Sequence, residues 1–539
     1  MWLSGSLAAL AQTAELDETP QHGGTLRLIT ADDLRTLDPP GIWNWIEGIL
    51  SFMIHHPILE YDENENLIPV LSETLPEISS DGLTYTIRLK PGILFSNGRE
   101  LVAEDVIYSI ERHFDPRTNS QFPHFYRNIV GATAFGKARV EEATTDPDRK
   151  RGRWLSPLHL EGMSVLDRYS VQFKLEKPDF IFSDILATPY SSIVPREEVE
   201  VFGPQFGRNP VGCGPFILKE WKRGLSLRLE RNPHYFQTGL PYLDAVEVAI
   251  ISDETTEMMM LERGESDYKQ LSGTPLLRFQ LNEKLRNNIN RLPGTGFDYI
   301  SLNCELEPFT DVRVRQAMNY AVDKKRILKA LLNQGSVSRS VLPSSLKGHD
   351  PDIVGYPYNP SKAKELLKAA GFPDGFTVKL VTDPGTPRWP KTALLVQHDL
   401  EQIGIHAELQ MVSGPAYLDT IQRRKEVPMA ISDWIANFND PKDTLKSLLS
   451  GDSIKDEGSI NIAFWSNPET DDLFRKADLE MNPERRMAIY HKIEEIIVEE
   501  APWIFLRQYD YNIYTQPWLK GFKPRPVWPQ RLEKTWIKR

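Results

Sequence analysis

The sequence predicts an α/β protein built from more than one lobe, and three observations carry that expectation. The chain has 539 residues, several times the ~100–200 of a single domain. Helical and strand patterns alternate between Pro360 and Asp440. Strict two-residue alternation at Thr84–Leu89 marks a half-buried strand far from that region.

In chain order, Thr25–Thr30 reads as a short strand, and Leu37-Asp38-Pro39-Pro40 then breaks the chain. Asp81-Gly82 makes a tight turn before Thr84–Leu89, whose Tyr85, Ile87 and Leu89 share one face. Ala103–Phe114 carries Val106, Ile107, Ile110 and Phe114 at helical spacing. Gly136–Arg153 is polar without a sustained apolar period, and reads as a solvated surface insertion. Helical spacing runs through Asp311–Gly335, where Asp323 falls at a kink or second cap. Asn359 caps a helix with Pro360 at its first position, and Gly371 ends it. Phe376–Val381, Ile405–Met411 and Met429–Ile435 are strands, separated by helices at Lys391–Ile403 and Tyr417–Lys425. That β-α-β-α-β order implies a mainly parallel sheet, whose ligands bind beyond the carboxyl ends of its strands. Trp434 to Asn437 sit at such an end.

Composition narrows the function classes. Hydrophobic residues are 40% and charged residues 26%, ordinary for a folded chain. A net charge of −12 argues against a dedicated nucleic-acid binder. No stretch approaches the ~20 consecutive apolar residues of a membrane helix. The first residues read like the end of a secretory signal, with Ala9-Leu10-Ala11 as a small-x-small cleavage pattern, although no Lys or Arg precedes Leu3–Leu10. The two cysteines, Cys213 and Cys304, lie far from that segment and supply no lipid-anchor position; both read as buried free thiols.

Catalytic and metal motifs are missing. The sequence has no nucleophile elbow, phosphate loop or zinc helix. His55-His56 reads as a packed or exposed pair, because adjacent helix positions do not face each other. Asp62–Asn66 begins like a calcium loop, but Leu67 stands where that loop needs glycine, so a polar hairpin tip is the better reading. No cofactor, metal or catalytic residue is expected.

Several segments together resemble the family 5 extracellular solute-binding proteins, the peptide, nickel and opine receptors of ATP-driven importers. They are Gly23–Leu26 with Leu37–Pro39, Pro57–Asp62 (PILEYD), Ser80–Tyr85 and, most specifically, Leu89–Arg112 (LKPGILFSNGRELVAEDVIYSIER). Asn209–Pro215, Glu230–Pro233, Pro241–Asp244, Asp311–Asp323 and Ala363–Gly375 continue the series. The resemblance implies a two-lobed periplasmic binding protein-like fold of the large three-subdomain variety, with a ligand cleft closed by a hinge. Residues 1–22 are then a signal remnant or loose N-terminus, 23–64 and 195–297 the core of lobe 1, and 65–194 its extra subdomain. Residues 298–506 form lobe 2, and 507–539 return to lobe 1, with crossings near Asp298–Asn303 and Pro502–Arg507. The resemblance further implies an exported, periplasmic monomer that passes its ligand to an ABC permease and performs no chemistry on it.

Peptide-binding members typically hold the peptide's α-ammonium with an aspartate in a W-x-x-D segment. Here the run is Trp434-Ile435-Ala436-Asn437, so asparagine stands in that place. A neutral amide cannot neutralise a buried ammonium. Asp433 or Asp440 are the compensating candidates, although Asp433 should point away from the face of Trp434. Trp43, Trp45 and Trp434 offer flat faces for sugar rings, proline rings or cations, or serve as ordinary packing indoles. Arg507, near the return hinge, is placed to pair with a ligand carboxylate or to form a surface or interlobe salt bridge. A peptide is the favoured ligand, on the family's habits; an oligosaccharide, an opine-like conjugate or a sensor role without transport stay open.

Overall fold

The computed structural model describes residues 19–42, 44–120, 122–145, 158–527 and 532–539. Three sheets organise them. In the first, β1 (Thr25–Thr30) pairs in parallel with β10 (Ala245–Ile250), which continues antiparallel to β9 (Ser226–Arg231) and β8 (Phe216–Lys222). Leu26, Leu28, Leu229, Val246 and Val248 point inward from it, against Ile49, Leu50 and Met53 of the helix Trp45–Ile54. That helix starts at a capping box, in which Asn44 accepts from the Glu47 amide and Glu47 accepts from the Asn44 amide.

The hairpin β2 (Leu59–Tyr61) and β3 (Leu67–Pro69) has the expected polar tip, where Asp62 accepts from the amides of Asn64 and Asn66. The second sheet has the order β4 (Glu77–Ile78), β5 (Thr84–Arg88), β7 (Ser170–Lys174), β6 (Met163–Asp167), all antiparallel. Tyr85, Ile87 and Leu89 are buried as their alternation requires.

The third sheet ties the molecule together. Its order is β11 (Tyr268–Leu271), β17 (Trp503–Thr515), β12 (Ile289–Leu302), β16 (Met429–Ile435), β14 (Phe376–Thr382), β15 (Ile405–Met411), with the short β13 (Ser336–Val337) also on β17. The β14–β15 and β14–β16 pairings are parallel, as the alternating pattern predicts. The sheet as a whole is not the mainly parallel one expected, because β11–β17, β13–β17, β12–β17 and β12–β16 all run antiparallel where the long strands β12 and β17 join it. The two long strands change partners along their length. Asn512–Thr515 of β17 pairs with β11, Ile289–Pro293 of β12 with Tyr514–Asp510, and Phe297–Ser301 with Gln508–Trp503. Register shifts fall between Pro293 and Phe297 and between Asp298 and Tyr299.

Most element readings hold, with shifted ends. The helix expected at Lys391–Ile403 spans Arg388–Glu401, and that at Tyr417–Lys425 spans Pro415–Ile421. Asp323 does divide its region: Val312–Ala321 and Lys324–Ala330 are separate helices, and the Asp323 carboxylate accepts from the Arg326 amide. Asp323→Ala is expected to cost about 1 kcal/mol through that lost cap, read as a lower urea midpoint.

The polar insertion also departs from its reading. Part of the proposed surface insertion is helical, at Ala132–Thr145, with 146–157 outside the described residues. Phe135 and Arg139, one turn apart, are buried; Phe135 meets Phe114 edge-on, with ring centroids 5.7 Å apart. Three buried residues, Ala132, Phe135 and Arg139, on an otherwise polar helix are too few to register as an apolar period.

His55 and His56 prove to be a packed pair: His55 faces the Leu37 carbonyl, and His56 lies between Glu60 and Tyr235. Both cysteines are free thiols, Cys213 buried and Cys304 only partly so. No helix among the described residues is long and apolar enough to cross a membrane.

Candidate functional site

The irregular stretch of the third sheet brings five polar side chains together. Asp298 of β12 lies opposite Asp433 of β16 on one side and Arg507 of β17 on the other. Arg507 donates to Asp298 at 2.6 Å and to the Gln334 carbonyl at 2.7 Å. Arg388, the first residue of its helix, reaches Asp298 at 3.2 Å and Asp433 at 2.6 Å. The Tyr509 hydroxyl lies 2.9 Å from each carboxylate. Burial pushes the Asp298 carboxyl up, but Arg507 and Arg388 outweigh it and hold the group below the usual carboxylate range. Asp433 is raised: burial and the charge of Asp298 exceed what Arg388 returns. Gly296 lets the Tyr509 ring approach, since a Cβ there would lie 2.2 Å from Cδ2 of that ring.

Arg388, Arg507 and Tyr509 of this network line a cavity of about 620 Å³. One wall is Glu254 with Gln270–Pro275, the opposite wall Ala330–Leu332, Gln334, Pro387, Arg388 and Lys391, and the base includes Arg507 and Tyr509–Asn512. The volume falls within the range of sites for compact organic ligands, ~300–1,000 Å³.

A second cluster forms beyond the carboxyl end of β16. Asp440 caps the helix Pro441–Leu449, and the next acid, Asp443, lies in its first turn. The chain doubles back, so that Asp443 accepts from the Asn437 amide at 2.8 Å and from its side-chain Nδ2 at 3.3 Å. The Trp434 indole donates to the same carboxylate at 3.3 Å. Burial raises the Asp443 carboxyl to about 6, although these three hydrogen bonds favour its charged form.

The aromatic rings of Phe125 and Phe438 meet beside this cluster at 5.2 Å, and Tyr190 stacks on Phe122 at 3.8 Å. Nearby, Asp440 takes both arms of Arg486, at 2.6 and 2.7 Å. Lys442 bridges Asp179 at 2.7 Å and Asp478 at 3.2 Å.

The residues named from sequence thus fall into two places. Trp434 and Asn437 converge on Asp443. Arg507 is in the cavity floor with its guanidinium turned to Asp298, and Trp45 packs against Tyr511 of the same floor, ring centroids 6.1 Å apart. Trp43 lies outside the described residues. Neither compensating acid is available: Asp433 is held by Arg388 and Tyr509, Asp440 by Arg486. Asp433 does point away from Trp434, as alternation requires. The sequence reading names none of Asp443, Asp298, Arg388 and Tyr509 as a site residue. Among the described residues, no group of three or more His, Cys, Asp or Glu is placed to hold a metal ion.

The family model for bacterial extracellular solute-binding proteins, family 5 Middle, matches residues 66–456, well over half of the chain. The chain is a family 5 extracellular solute-binding protein. Its curated relatives include the glutathione-binding protein GsiB of Escherichia coli K12, 27% identical over 507 residues, covering 93% of this chain and 92% of the relative. Among solved structures, the periplasmic binding protein DppA of Helicobacter pylori in complex with the peptide STSA is 26% identical, with a TM-score of 0.74. The match covers 96% of this solute-binding protein and 99% of DppA. A clavulanic acid biosynthesis oligopeptide binding protein aligns at a TM-score of 0.85 with 24% identity over 96% of each chain, a likeness of fold. The mixed α/β architecture is therefore the two-lobed binding-protein fold that the sequence predicted.

Proposed function

We propose that this solute-binding protein captures short peptides bearing a free amino terminus between its lobes and passes them, as an exported periplasmic monomer, to an ABC permease. The single observation that carries the ligand reading is the Asp443 carboxylate, held by Trp434 and Asn437 at the end of β16. It supplies, from the next helix, the negative charge that position 437 lacks. A carboxylate lifted to about 6 by burial gains from a cationic partner, because an adjacent ammonium removes part of the cost of ionising it. Trp434 then offers an indole face beside that ammonium. The relatives named for glutathione and the STSA peptide support the same class.

The lobe boundaries follow the same reading. β12 and β17 are the crossings, and the junctions at 297/298 and 506/507 fall in or beside the segment where their register shifts. Closure about these strands brings residues 65–194 against 298–506, and ligand contacts to both sides stabilise the closed form. No group on the cavity wall is arranged as an activated nucleophile with its base, so we assign binding and no catalysis.

A thermal-shift screen tests the ligand class. Di- to pentapeptides and glutathione are expected to stabilise the purified protein by about 2.7 kcal/mol at 100 times Kd. Stabilisation by oligosaccharides, opines or nickel chelates and by no peptide would overturn the assignment.

A further inference from the structure

The seam between the lobes buries two carboxylates of lobe 1 for which lobe 2 provides no full counter-charge. Asp184 is 9% exposed and accepts from the Tyr61 hydroxyl at 2.6 Å. From lobe 2 it faces Asp440, which repels it, and the cations Lys347 and Arg486. Arg486 is already committed to both oxygens of Asp440. Lys347 spends a hydrogen bond, at 3.0 Å, on the backbone carbonyl of Glu65.

Glu65 is the second carboxylate, also 9% exposed. It stands at a φ of 59°, a left-handed conformation costly for a residue with a side chain. Its charged neighbours are Arg525, Lys347 and Asp62, and the Val527 amide also faces it. Tyr61 faces both carboxylates, and Tyr85 stands between Asp184 and Asp179.

Lobe 2 covers the Asp184 side of this patch through several contacts, and reaches Glu65 through Lys347, whereas Arg525 and Val527 at Glu65 belong to the C-terminal return to lobe 1. Lys442 reaches Asp179, the Arg486 guanidinium lies 4.4 Å from the centre of the Phe180 ring, and Phe438 meets Phe125. Opening the hinge returns such a surface to water, where carboxylates ionise freely.

We propose that closure of the lobes takes up protons at Asp184 and Glu65, so that acidity favours the closed form. This rests on the hinge-closure reading above, but not on the identity of the ligand. Burial is the leading cause that raises both groups to about 7 in the closed form, whereas exposed Asp and Glu titrate near ~4. The sign follows from these values. Below about 4 both states hold the protons and closure is unopposed. As pH rises from there toward 7, the open form ionises first and closure weakens; above 7 the effect is complete.

Small-angle scattering of the unliganded full chain from pH 5 to pH 8 tests this without any ligand. The open-to-closed ratio is expected to rise roughly tenfold or more over that range, seen as a growing radius of gyration. The double variant Asp184→Asn/Glu65→Gln, neutral at every pH, is expected to stay compact throughout. Circular dichroism melting of each variant at pH 5 and pH 8 separates altered closure from lost fold. A radius of gyration independent of pH in the wild type would overturn the proposal, and so would an unchanged pH response in a folded double variant. Failure of peptides in the thermal-shift screen would remove the ligand assignment and leave this result untouched.

Discussion

Asp443→Asn is expected to raise the Kd for a free-amine tripeptide by at least about thirtyfold, the low end of the 2–5 kcal/mol that follows removal of one partner from a buried charge pair. The substitution keeps the shape of the side chain and removes only its charge. The hydrogen bonds that Trp434 and Asn437 make to this carboxylate therefore retain an acceptor on one of its two atoms. N-acetylated tripeptide, which carries no ammonium, should bind the wild type weakly and discriminate little between the two proteins. The exchange Asn437→Asp/Asp443→Asn moves the carboxylate across the same short gap and is expected to recover most of the affinity. Isothermal titration of the three proteins with the two peptides measures all six combinations. Equal affinity of wild type and Asp443→Asn for the free-amine peptide would show that the ammonium lies elsewhere.

The largest effect on stability is expected at Arg486. Its guanidinium is 1% exposed and holds both oxygens of Asp440, itself 5% exposed. Arg486→Met leaves that carboxylate buried without its counter-charge and should cost about 3–5 kcal/mol. Asp440 also caps the helix Pro441–Leu449 through the Lys442 amide, so the loss reaches the helix that carries Asp443. Arg486→Met/Asp440→Asn removes both charges, keeps a capping residue and is expected to recover most of the loss. Urea denaturation of the two variants reads this directly. Single and double variants of equal stability would show that the ion pair is not what the packing depends on.

How much of this was legible in the sequence depended on the range of the interaction. Thr25–Thr30, Ile405–Met411 and Met429–Ile435 were read to the residue, because buried strands bounded by glycine, proline or polar turns carry their signal locally. Asp323 was visible as a divider because an N-cap acts within three residues of itself. The helix Ala132–Thr145 was not, since its buried residues are only Ala132, Phe135 and Arg139.

The site divides in the same way. Trp434 and Asn437 were found from their place at a strand end. Asp443 escaped because its link to Asn437 crosses a turn into the next helix, and no periodicity spans that step. Asp298, Arg388 and Asp433 are separated by 90 and 45 residues along the chain, so only the sheet pairing of β12 with β16 and β17 unites them. Of this network only Arg507 and Asp433 are marked in the sequence, the one as a ligand or salt-bridge residue and the other as a compensating acid; their partners leave no local trace.

The central claim is that a peptide with a free amino terminus closes the lobes about β12 and β17. Its most direct test is a small-angle scattering titration of the unliganded protein at pH 8 with trialanine, N-acetyl-trialanine and maltotriose. The account predicts a radius of gyration that falls and saturates with trialanine and responds far less to the acetylated peptide. Contraction with maltotriose alone, or a radius unchanged at saturating trialanine, would contradict it.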